Sequence, residues 1–530
     1  MSKIWYEIKQ NVFASESKDK SGSYKGIIKI VKYFESLQIK NLILENPLLN
    51  YSDPNLSFIK DNEVKHGTIG DLKELLTILR TKKIKPLVKI DLQRIKEISN
   101  YLDNYNNYLE MKSRAIQRKE NWVDFLNNMQ KEEKEYQTES FFIKTQTIDF
   151  ESSWSANETI KKFKKIVNFF YNAGFRGIII HNFEYLYSRE RDKILNDKTT
   201  NQLKAIYSNI KTEMKDFAVV WESEILNWNY LNLKKLNHEE FFDYLIDTSF
   251  ASLNKNYKYG YPIYHEINYK KFASYFGAAL NSEKNIVALQ SPWVSRITSL
   301  WGNENSFFNE SVRSLLILNL INNRDKKIYF GQEIGLLNMK EEFVNKINDF
   351  ELNEIKHKLL NNGIELDEFF NSFNKFYTEN LNYEMIWNKD QNKNTNLKNI
   401  EKINVKSQWE DENSNLNFFK KLVSLNENKS YQDLIQNSQY SFSIKSKNIF
   451  LVNILIKTPF FKLRIISNLE HSFQNVKLKK TSKILVSSYT RKKYHEVPKK
   501  LEPFETLVLI EKINNSEADF VNTIYNTVLK

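Results

Sequence analysis

The chain has 530 residues, of which 41% are hydrophobic, and 78 basic against 65 acidic residues give a formal net charge of +13. That hydrophobic content is enough for a sizeable core and excludes wholesale disorder. The absence of cysteine, with only 12 glycines and 8 prolines, excludes disulfide scaffolds, cysteine metal sites and collagen-like sequences, and no glycine-rich phosphate-binding motif occurs.

Short apolar strands alternate with amphipathic helices along the first two-thirds of the chain. The predicted strands are residues 5–8, 39–44, 84–92, 177–180, 217–221, 241–246, 286–289 and 327–330. Between them, apolar residues recur at helical spacing, as in the run that begins at Ile27 and ends at Phe34. Strands that alternate with helices predict a parallel sheet with right-handed crossovers. About eight such units fit a (β/α)8 barrel better than a doubly wound sheet.

Two helix ends carry recognisable signals. Thr68 is a suitable N-cap for a helix whose leucines, from Leu72 to Leu79, lie on one face. Gly174 follows another apolar-periodic helix and suits the residue just beyond a helix C-terminus.

The remaining segments predict a division into domains. Residues 96–140 are polar and weakly periodic, so we predict an inserted subdomain that separates barrel residues 1–95 from barrel residues 141–425. After a predicted helix at 418–425, short strand-like runs follow without long helices, which predicts an antiparallel β-domain over residues 426–530. These runs are residues 440–444, 449–456, 463–466, 484–488 and 507–510.

Four short motifs follow one another along the chain. They are H-G-T-I-G-D-L at 66–72, I-Y-F-G-Q-E-I-G-L-L-N at 328–338, M-I-W at 385–387 and L-E-P-F-E-T-L-V-L at 501–509. In this order they resemble the α-amylase superfamily (glycoside hydrolase family 13), and within it the oligo-1,6-glucosidase and trehalose-6-phosphate hydrolase branch. The resemblance implies a TIM barrel with an insertion after the third strand and a C-terminal β-domain. It also implies that Glu333 and the glycines beside it maintain the turn after the eighth strand.

The resemblance also implies a chemistry, against which individual residues can be compared. Retaining glycoside hydrolysis uses two carboxyl groups about 5–5.5 Å apart. In this family the nucleophile is an aspartate that ends the fourth strand, preceded by an arginine, and the acid/base is a glutamate after the fifth strand. The corresponding positions here are His181 for the nucleophile, Ile179 for the arginine and Glu222 for the acid/base.

Other positions of the family's active site are also substituted. The family's N-H-D stretch after the seventh strand aligns so that Pro292 replaces the histidine and Trp293 replaces the sugar-binding aspartate. In the third strand, Lys89 and Arg94 replace the first and last residues of the family's D-x-x-x-N-H motif. Residues 15–23 align with the family's early metal loop but keep only Asp19, so we predict no bound calcium, no other metal and no cofactor.

These substitutions favour a protein that has lost catalysis. Imidazole cannot form the glycosyl–carboxylate intermediate, and single losses in a catalytic unit already cost orders of magnitude. Our leading hypothesis is therefore an inactive α-glucosidase-like protein with a binding or interaction role, its ligand an α-glucoside or a phosphosugar. His181 is interpreted as a polar residue at the barrel mouth and Trp293 as a plug in the former sugar site. For Glu222, a relic or repurposed acid and a polar strand-end residue that is hydrogen-bonded in the former pocket are equally supported.

Two alternatives stay open at this stage. One is an active α-glucosidase or trehalose-6-phosphate hydrolase in which another acidic residue, such as Asp91 after the third strand, forms a rebuilt pair with Glu222. The other is a phosphosugar or polyanion binder that uses Lys89, Arg94 and Arg296.

The charge and the termini bear on partners and location. Lysines at 161–165 form the most concentrated basic run, but they flank an apolar helical stripe, which is typical of a solvated helix face. The first residues do not predict a signal peptide, and the apolar stretches are shorter than a bilayer-spanning helix requires. We therefore predict a cytoplasmic protein that binds neither nucleic acid nor membranes.

Overall fold

The computed structural model describes the part of the chain that contains the barrel strands and most of the C-terminal domain. The described residues are 3–16, 22–47, 63–64, 66–91, 156–181, 197–223, 242–248, 250, 253–258, 261–281, 283–292, 295–338, 350–376, 383–389, 401–428, 431–432, 439–441, 451–457, 461–479, 481–489 and 497–512. The predicted inserted subdomain, residues 96–140, lies outside them, so its existence stays a prediction.

Eight parallel strands form a closed barrel, which confirms the predicted (β/α)8 architecture. In chain order, the barrel strands are Ile4–Glu7, Asn41–Glu45, Lys85–Asp91, Gly177–His181, Ala218–Ser223, Tyr244–Asp247, Asn285–Ala288 and Asp325–Tyr329. Each strand pairs with the next one in the chain, and the eighth pairs with the first, where Trp5 lies opposite Lys327. The strand bounds differ from the sequence-based ones by at most three residues.

Helices occupy connections between the barrel strands and also follow the last strand. In the described ranges they are Gln10–Phe13, Tyr24–Lys29, Val31–Ser36, Ile69–Thr81, Ala156–Ala173, Asp197–Glu213, Tyr269–Asn281, Ile297–Trp301, Phe308–Leu320, Phe350–Asn361, Leu366–Phe376, Val405–Glu410 and Asn415–Glu427. Thr68 caps its helix as predicted, in a capping box with Asp71. Gly174 has φ +119°, a conformation that glycine adopts without strain and that ends the Ala156–Ala173 helix.

The lower part of the barrel interior is filled by apolar side chains. They form one buried cluster to which the first seven strands of the barrel contribute, and such a packed interior is usual for TIM barrels. Its members are Trp5, Ile43, Leu87, Ile179, Val220, Ile246, Ile286 and Ala288. Because successive residues of a strand point to opposite faces, the next inward positions toward the C-terminal ends are two residues further along each strand. For three strands those positions are Glu7, Lys89 and Glu222.

A tight turn follows the eighth strand. Gly331 (φ +84°) and Gly335 (φ +74°) flank a 3-10 turn, Gln332–Ile334, and both φ values favour glycine. A Cβ atom added to Gly331 would lie only 2.1 Å from Leu336 Cδ1. Within the turn, the carboxylate of Glu333 accepts hydrogen bonds from the hydroxyls of Tyr6 (2.6 Å) and Tyr33 (2.8 Å). The turn therefore connects the eighth strand to the first strand through Tyr6 and to the Val31–Ser36 helix through Tyr33.

The C-terminal domain is antiparallel, as predicted. Its five strands occur in the order Gln439–Ser441, Leu451–Lys457, Phe461–Asn468, Thr506–Lys512 and Lys483–Ser487 across one sheet. Two further short strands, Gln474–Asn475 and Lys500–Leu501, pair with each other. The sheet packs against the barrel, since Ser314 on the Phe308–Leu320 helix donates to the Phe504 carbonyl.

Two features near the sixth and eighth strands were missed by the sequence analysis. Lys255–Lys258 and Tyr261–Tyr264 form a hairpin after the sixth strand. The helices Phe350–Asn361 and Leu366–Phe376 pack on it through a separate small apolar cluster. No helix in the described ranges is long and apolar enough to cross a membrane.

Candidate functional site

Four charged side chains meet inside the barrel, above the apolar cluster. Glu7 ends the first strand, Lys89 lies on the third, Glu222 on the fifth and Lys327 on the eighth. Although they are far apart in sequence, the barrel turns all four toward its axis. We call this group the ionic ring.

Positive and negative side chains alternate around the ionic ring. Lys89 Nζ lies 2.9 Å from Glu7 Oε1 and also contacts Glu222 Oε2. Lys327 Nζ lies 2.5 Å from Glu7 Oε2 and also contacts Glu222 Oε1. Each carboxylate therefore gives one oxygen to each lysine, and the two positive and two negative charges cancel.

Burial makes these contacts strong. The side chains of Glu222 and Lys327 are 0% exposed, that of Glu7 is 5% exposed and that of Lys89 is 9% exposed. Charges removed from water interact much more strongly than charges on the surface, but a charge left there without a partner is costly. The ionic ring satisfies this condition by pairing every charge twice.

The pKa values follow from this geometry. Burial alone raises the pKa of the Glu222 carboxyl, but the ammonium groups of Lys327 and Lys89 outweigh burial and hold that pKa well below its ordinary value. Burial alone lowers the pKa of the Lys89 ammonium, but Glu222 and Glu7 reverse the effect and raise it. Glu222 is therefore ionised, and Lys89 protonated, across the physiological pH range.

His181 borders the ionic ring from the end of the fourth strand. Its Nδ1 lies 3.0 Å from Glu222 Oε2, the same oxygen that contacts Lys89, and its side chain is 4% exposed. At this distance the imidazole of His181 also helps to lower the pKa of the Glu222 carboxyl. The structure thus brings together the sequence-predicted positions His181, Lys89 and Glu222.

The other sequence-predicted site residues are distributed differently. Ile179 is fully buried in the apolar cluster one layer below His181. Pro292 is half-buried after the seventh strand. Trp293 and Arg94 lie outside the described residues, so the predicted plug in the sugar site stays a prediction.

Arg296 is held by aromatic rings. Its guanidinium carbon lies 5.0 Å from the ring centroid of Tyr329, 4.7 Å from that of Phe330 and 5.3 Å from that of Tyr383. Its Nη1 donates to the Phe330 carbonyl at 2.5 Å. Because Lys89 is paired in the ionic ring and Arg296 is packed in this aromatic group, the hypothesis of a polyanion site built from Lys89, Arg94 and Arg296 loses its support.

Sequence reasoning missed two of the four ring members, Glu7 and Lys327. Both were included in predicted strands, but neither was singled out. A usable signal existed for Glu7, which is the charged residue of an otherwise apolar strand and lies two positions after the inward-facing Trp5. No such signal marks Lys327, because its strand also carries Asp325 and Lys326. Strand pairing alone does not show that the four charges meet, because the strands concerned are not all neighbours.

The ionic ring limits what the barrel centre can do chemically. Glu7 and Glu222 are a carboxylate pair bridged by shared cations, and the two ammonium groups occupy the space between them. A general acid holds a proton near the working pH, and the lowered pKa of Glu222 opposes that role. In the described ranges, no group of three or more histidine and acidic side chains is arranged to hold a metal ion.

Comparison with known protein families identifies one match. The model of the α-amylase catalytic domain matches residues 8–434. Among curated relatives, the chain is 25% identical over 204 residues to a glucan 1,6-α-glucosidase of Streptococcus pneumoniae serotype 4, which covers 34% of this chain and 37% of that protein. It is 27% identical over 164 residues to an oligo-1,6-glucosidase of Bacillus cereus, which covers 28% and 29%. The chain thus matches about a third of the length of these relatives.

Solved structures match the fold over almost the whole chain. A trehalose-6-phosphate hydrolase of Bacillus licheniformis superposes with a TM-score of 0.71 at 16% identity, covering 96% of this chain and 99% of that one. An isomaltulose synthase of Klebsiella superposes with a TM-score of 0.72 at 14% identity, covering 96% and 98%. At these identities the likeness concerns the fold alone.

Proposed function

The chain belongs to the α-amylase family, and from that premise we propose that it is a non-hydrolytic member with a binding or interaction role. The relatives it resembles are named for cleavage of α-1,6-linked glucosides, and one structural neighbour is named for hydrolysis of trehalose 6-phosphate. An α-glucoside or a phosphosugar is therefore the class of ligand that we would test first.

The observation that carries this proposal is the state of Glu222. The family's mechanism needs this carboxyl to donate a proton to the leaving group, and such donors have raised pKa values. Here Lys89 and Lys327 hold the carboxyl in its ionised form inside the barrel. The residue at the acid/base position is kept, but its surroundings oppose the acid's role.

The nucleophile position supports the same proposal. His181 stands where the family has its aspartate, and its Nδ1 faces Glu222 at 3.0 Å. An imidazole so placed stabilises a carboxylate and cannot form the glycosyl ester through which retaining enzymes proceed. Loss of a nucleophile alone typically removes several orders of magnitude in rate.

A rewired hydrolase is the second candidate, and one observation favours it. Glu7 and Glu222 share both ammonium partners, so two carboxylates do approach each other at the C-terminal side of the barrel. If the lysines withdrew on substrate binding, this pair would have the composition of a retaining site.

Glucose release separates the two candidates. Purified protein is incubated with isomaltose, trehalose 6-phosphate and p-nitrophenyl α-glucoside beside matched Glu222→Gln and Glu7→Gln variants. We expect no release above the no-protein background for any of the three proteins. Release by the unmodified chain that either variant abolishes would overturn the non-hydrolytic function in favour of the rewired site.

A further inference from the structure

The ionic ring has the geometry of a ligand-binding site that is occupied by the chain's own lysine head groups, and we call this site the seat. Glu7 and Glu222 present four carboxylate oxygens, and each ammonium group takes one oxygen from each residue. A free alkylammonium ion carries the same charge and donors as a lysine head group. The two glutamates therefore form a site for primary ammonium ions whose present occupants are covalently attached.

We propose that the centre of the barrel is a primary-ammonium binding site, formed by Glu7 and Glu222 and occupied by Lys89 and Lys327 as built-in ligands. Shortening either lysine opens a seat for a small primary alkylammonium ion. This site is the same barrel centre whose hydrolytic role is in question, but its ammonium binding depends on ion-pair geometry and not on the absence of hydrolysis.

Charge balance gives the site its selectivity. With both lysines present the ionic ring is neutral, whereas removal of one lysine leaves a buried excess of one negative charge. Such a charge is costly, so the protein gains stability from any cation that fits. Neutral molecules of the same shape do not supply the missing charge, and quaternary ammonium ions lack the N–H donors that the carboxylate oxygens require.

The walls of the seat set its size. Below it the apolar cluster continues through Leu87, Val220 and Ile286. Changing a lysine to alanine removes three methylene groups and the ammonium group, which together match propylammonium. Ethylammonium and methylammonium leave part of that space empty, and empty space in a packed interior forfeits contacts.

The two lysines differ in access. The Lys327 side chain is 0% exposed, whereas the Lys89 side chain is 9% exposed. We therefore expect Lys89→Ala to accept an amine in the folded state and Lys327→Ala to accept it most readily during refolding. Testing both variants keeps the proposal open to refutation if one of them does not fold.

Thermal unfolding in the presence of amines tests the proposal. Full-length Lys89→Ala and Lys327→Ala are unfolded in 0–100 mM propylammonium chloride, with sodium chloride keeping the ionic strength constant. For at least one variant we expect Tm to rise with the logarithm of amine concentration, by on the order of 1–2 °C at 100 mM. The rise should decrease from propyl- to ethyl- to methylammonium and be absent in the unmodified protein.

Matched controls identify the cause of any rise in Tm. 1-Propanol and trimethylpropylammonium test the charge and the N–H donors, and Ile246→Ala provides an apolar cavity in the layer below. The double variants Lys89→Ala/Glu222→Gln and Lys327→Ala/Glu222→Gln lack half of the carboxylate seat and should lose the response. An equal rise with 1-propanol, in Ile246→Ala or in the double variants would overturn the proposal.

Variants that do not fold alone are refolded from urea with and without propylammonium, and soluble yield replaces Tm. If the amine raises neither the soluble yield nor the Tm of either lysine variant, the proposal is also overturned. Failure here would leave the glucose-release result unaffected, because the amine response is tested on the lysine variants, whereas hydrolysis is tested on the unmodified chain and its glutamate variants.

Discussion

Two fully buried glutamates of this barrel, Glu222 in the ionic ring and Glu333 in the turn after the eighth strand, differ in the direction of their pKa shifts. Burial raises the pKa of both carboxyls. At Glu222 the ammonium groups of Lys327 and Lys89 reverse the effect, whereas at Glu333 hydrogen bonds from Tyr6 and Tyr33 offset burial only in part. The comparison shows that burial does not determine a carboxyl's charge until its partners are known.

The largest expected effect comes from removing a partner from the ionic ring. Glu222→Ala leaves two buried ammonium groups with one carboxylate, and we expect a loss of about 3–5 kcal/mol in the free energy of unfolding. Urea unfolding monitored by tryptophan fluorescence measures it. As a control, Lys82→Ala breaks an exposed pair with Glu35 and should cost less than about 1 kcal/mol. A loss at Glu222 no larger than at Lys82 would contradict the proposed strength of the ionic ring.

The turn that carries Glu333 depends on backbone conformation. Gly331→Ala places a Cβ at a positive φ and against Leu336, so we expect a loss of about 1–3 kcal/mol. Gly363→Ala is the matched control, since Gly363 has a similar φ of +83° but no atom within 4 Å of the added Cβ. Equal losses in urea unfolding would mean that only the backbone, and not the contact with Leu336, matters.

The pKa values of buried lysines depend on their partners in the same way. Lys326, adjacent to Lys327, is buried with Nζ donating to the Asn322 carbonyl at 2.7 Å. Burial lowers its pKa to about 7, with Asp325 opposing in part. The unfolded chain therefore binds the proton more tightly, and stability should rise with pH between about 7 and 10.5. Lys326→Met should reduce this slope in urea unfolding at pH 7, 8 and 9, and an unchanged slope would contradict the lowered pKa.

The smallest expected effect is a pH dependence at Glu333. The pKa of Glu333 is raised in the folded protein. Its carboxyl therefore contributes fully to the free energy of unfolding at pH values below its pKa in the unfolded chain, and this contribution decreases as pH rises through its pKa in the folded protein. Glu333→Gln keeps an acceptor for the two tyrosines, so we expect it to change stability by less than about 1 kcal/mol at pH 7 and to be more costly at pH 4. A variant equally costly at both values would contradict the raised pKa of Glu333.

Much of the fold could be predicted from the sequence because its signals are local. Eight apolar strands, the Thr68 cap and the Gly174 helix end each depend on a few neighbouring residues. The hairpin at 255–264 was missed because its strands, such as Lys255–Lys258, carry little hydrophobic periodicity.

The candidate site was less predictable because its decisive contacts are non-local. Substitutions at His181 and Lys89 could be read from the sequence once the family resemblance was established. The pairing of Glu7 with Lys327 could not, since it depends on how the first and eighth strands face the barrel axis. Charged residues within apolar strands indicate a buried polar group, but only the closed barrel shows which charges meet.

The ionisation state of Glu222 tests the central claim most directly. Selective 13C labelling of glutamate carboxyls, with Glu222→Gln to assign the resonance, allows this carboxyl to be titrated by NMR from pH 3 to pH 8. We predict that Glu222 stays ionised down to the acid end of this range, because two ammonium groups hold it. A midpoint near neutrality would contradict the account, since the carboxyl would then be able to act as the general acid of a working glycosidase.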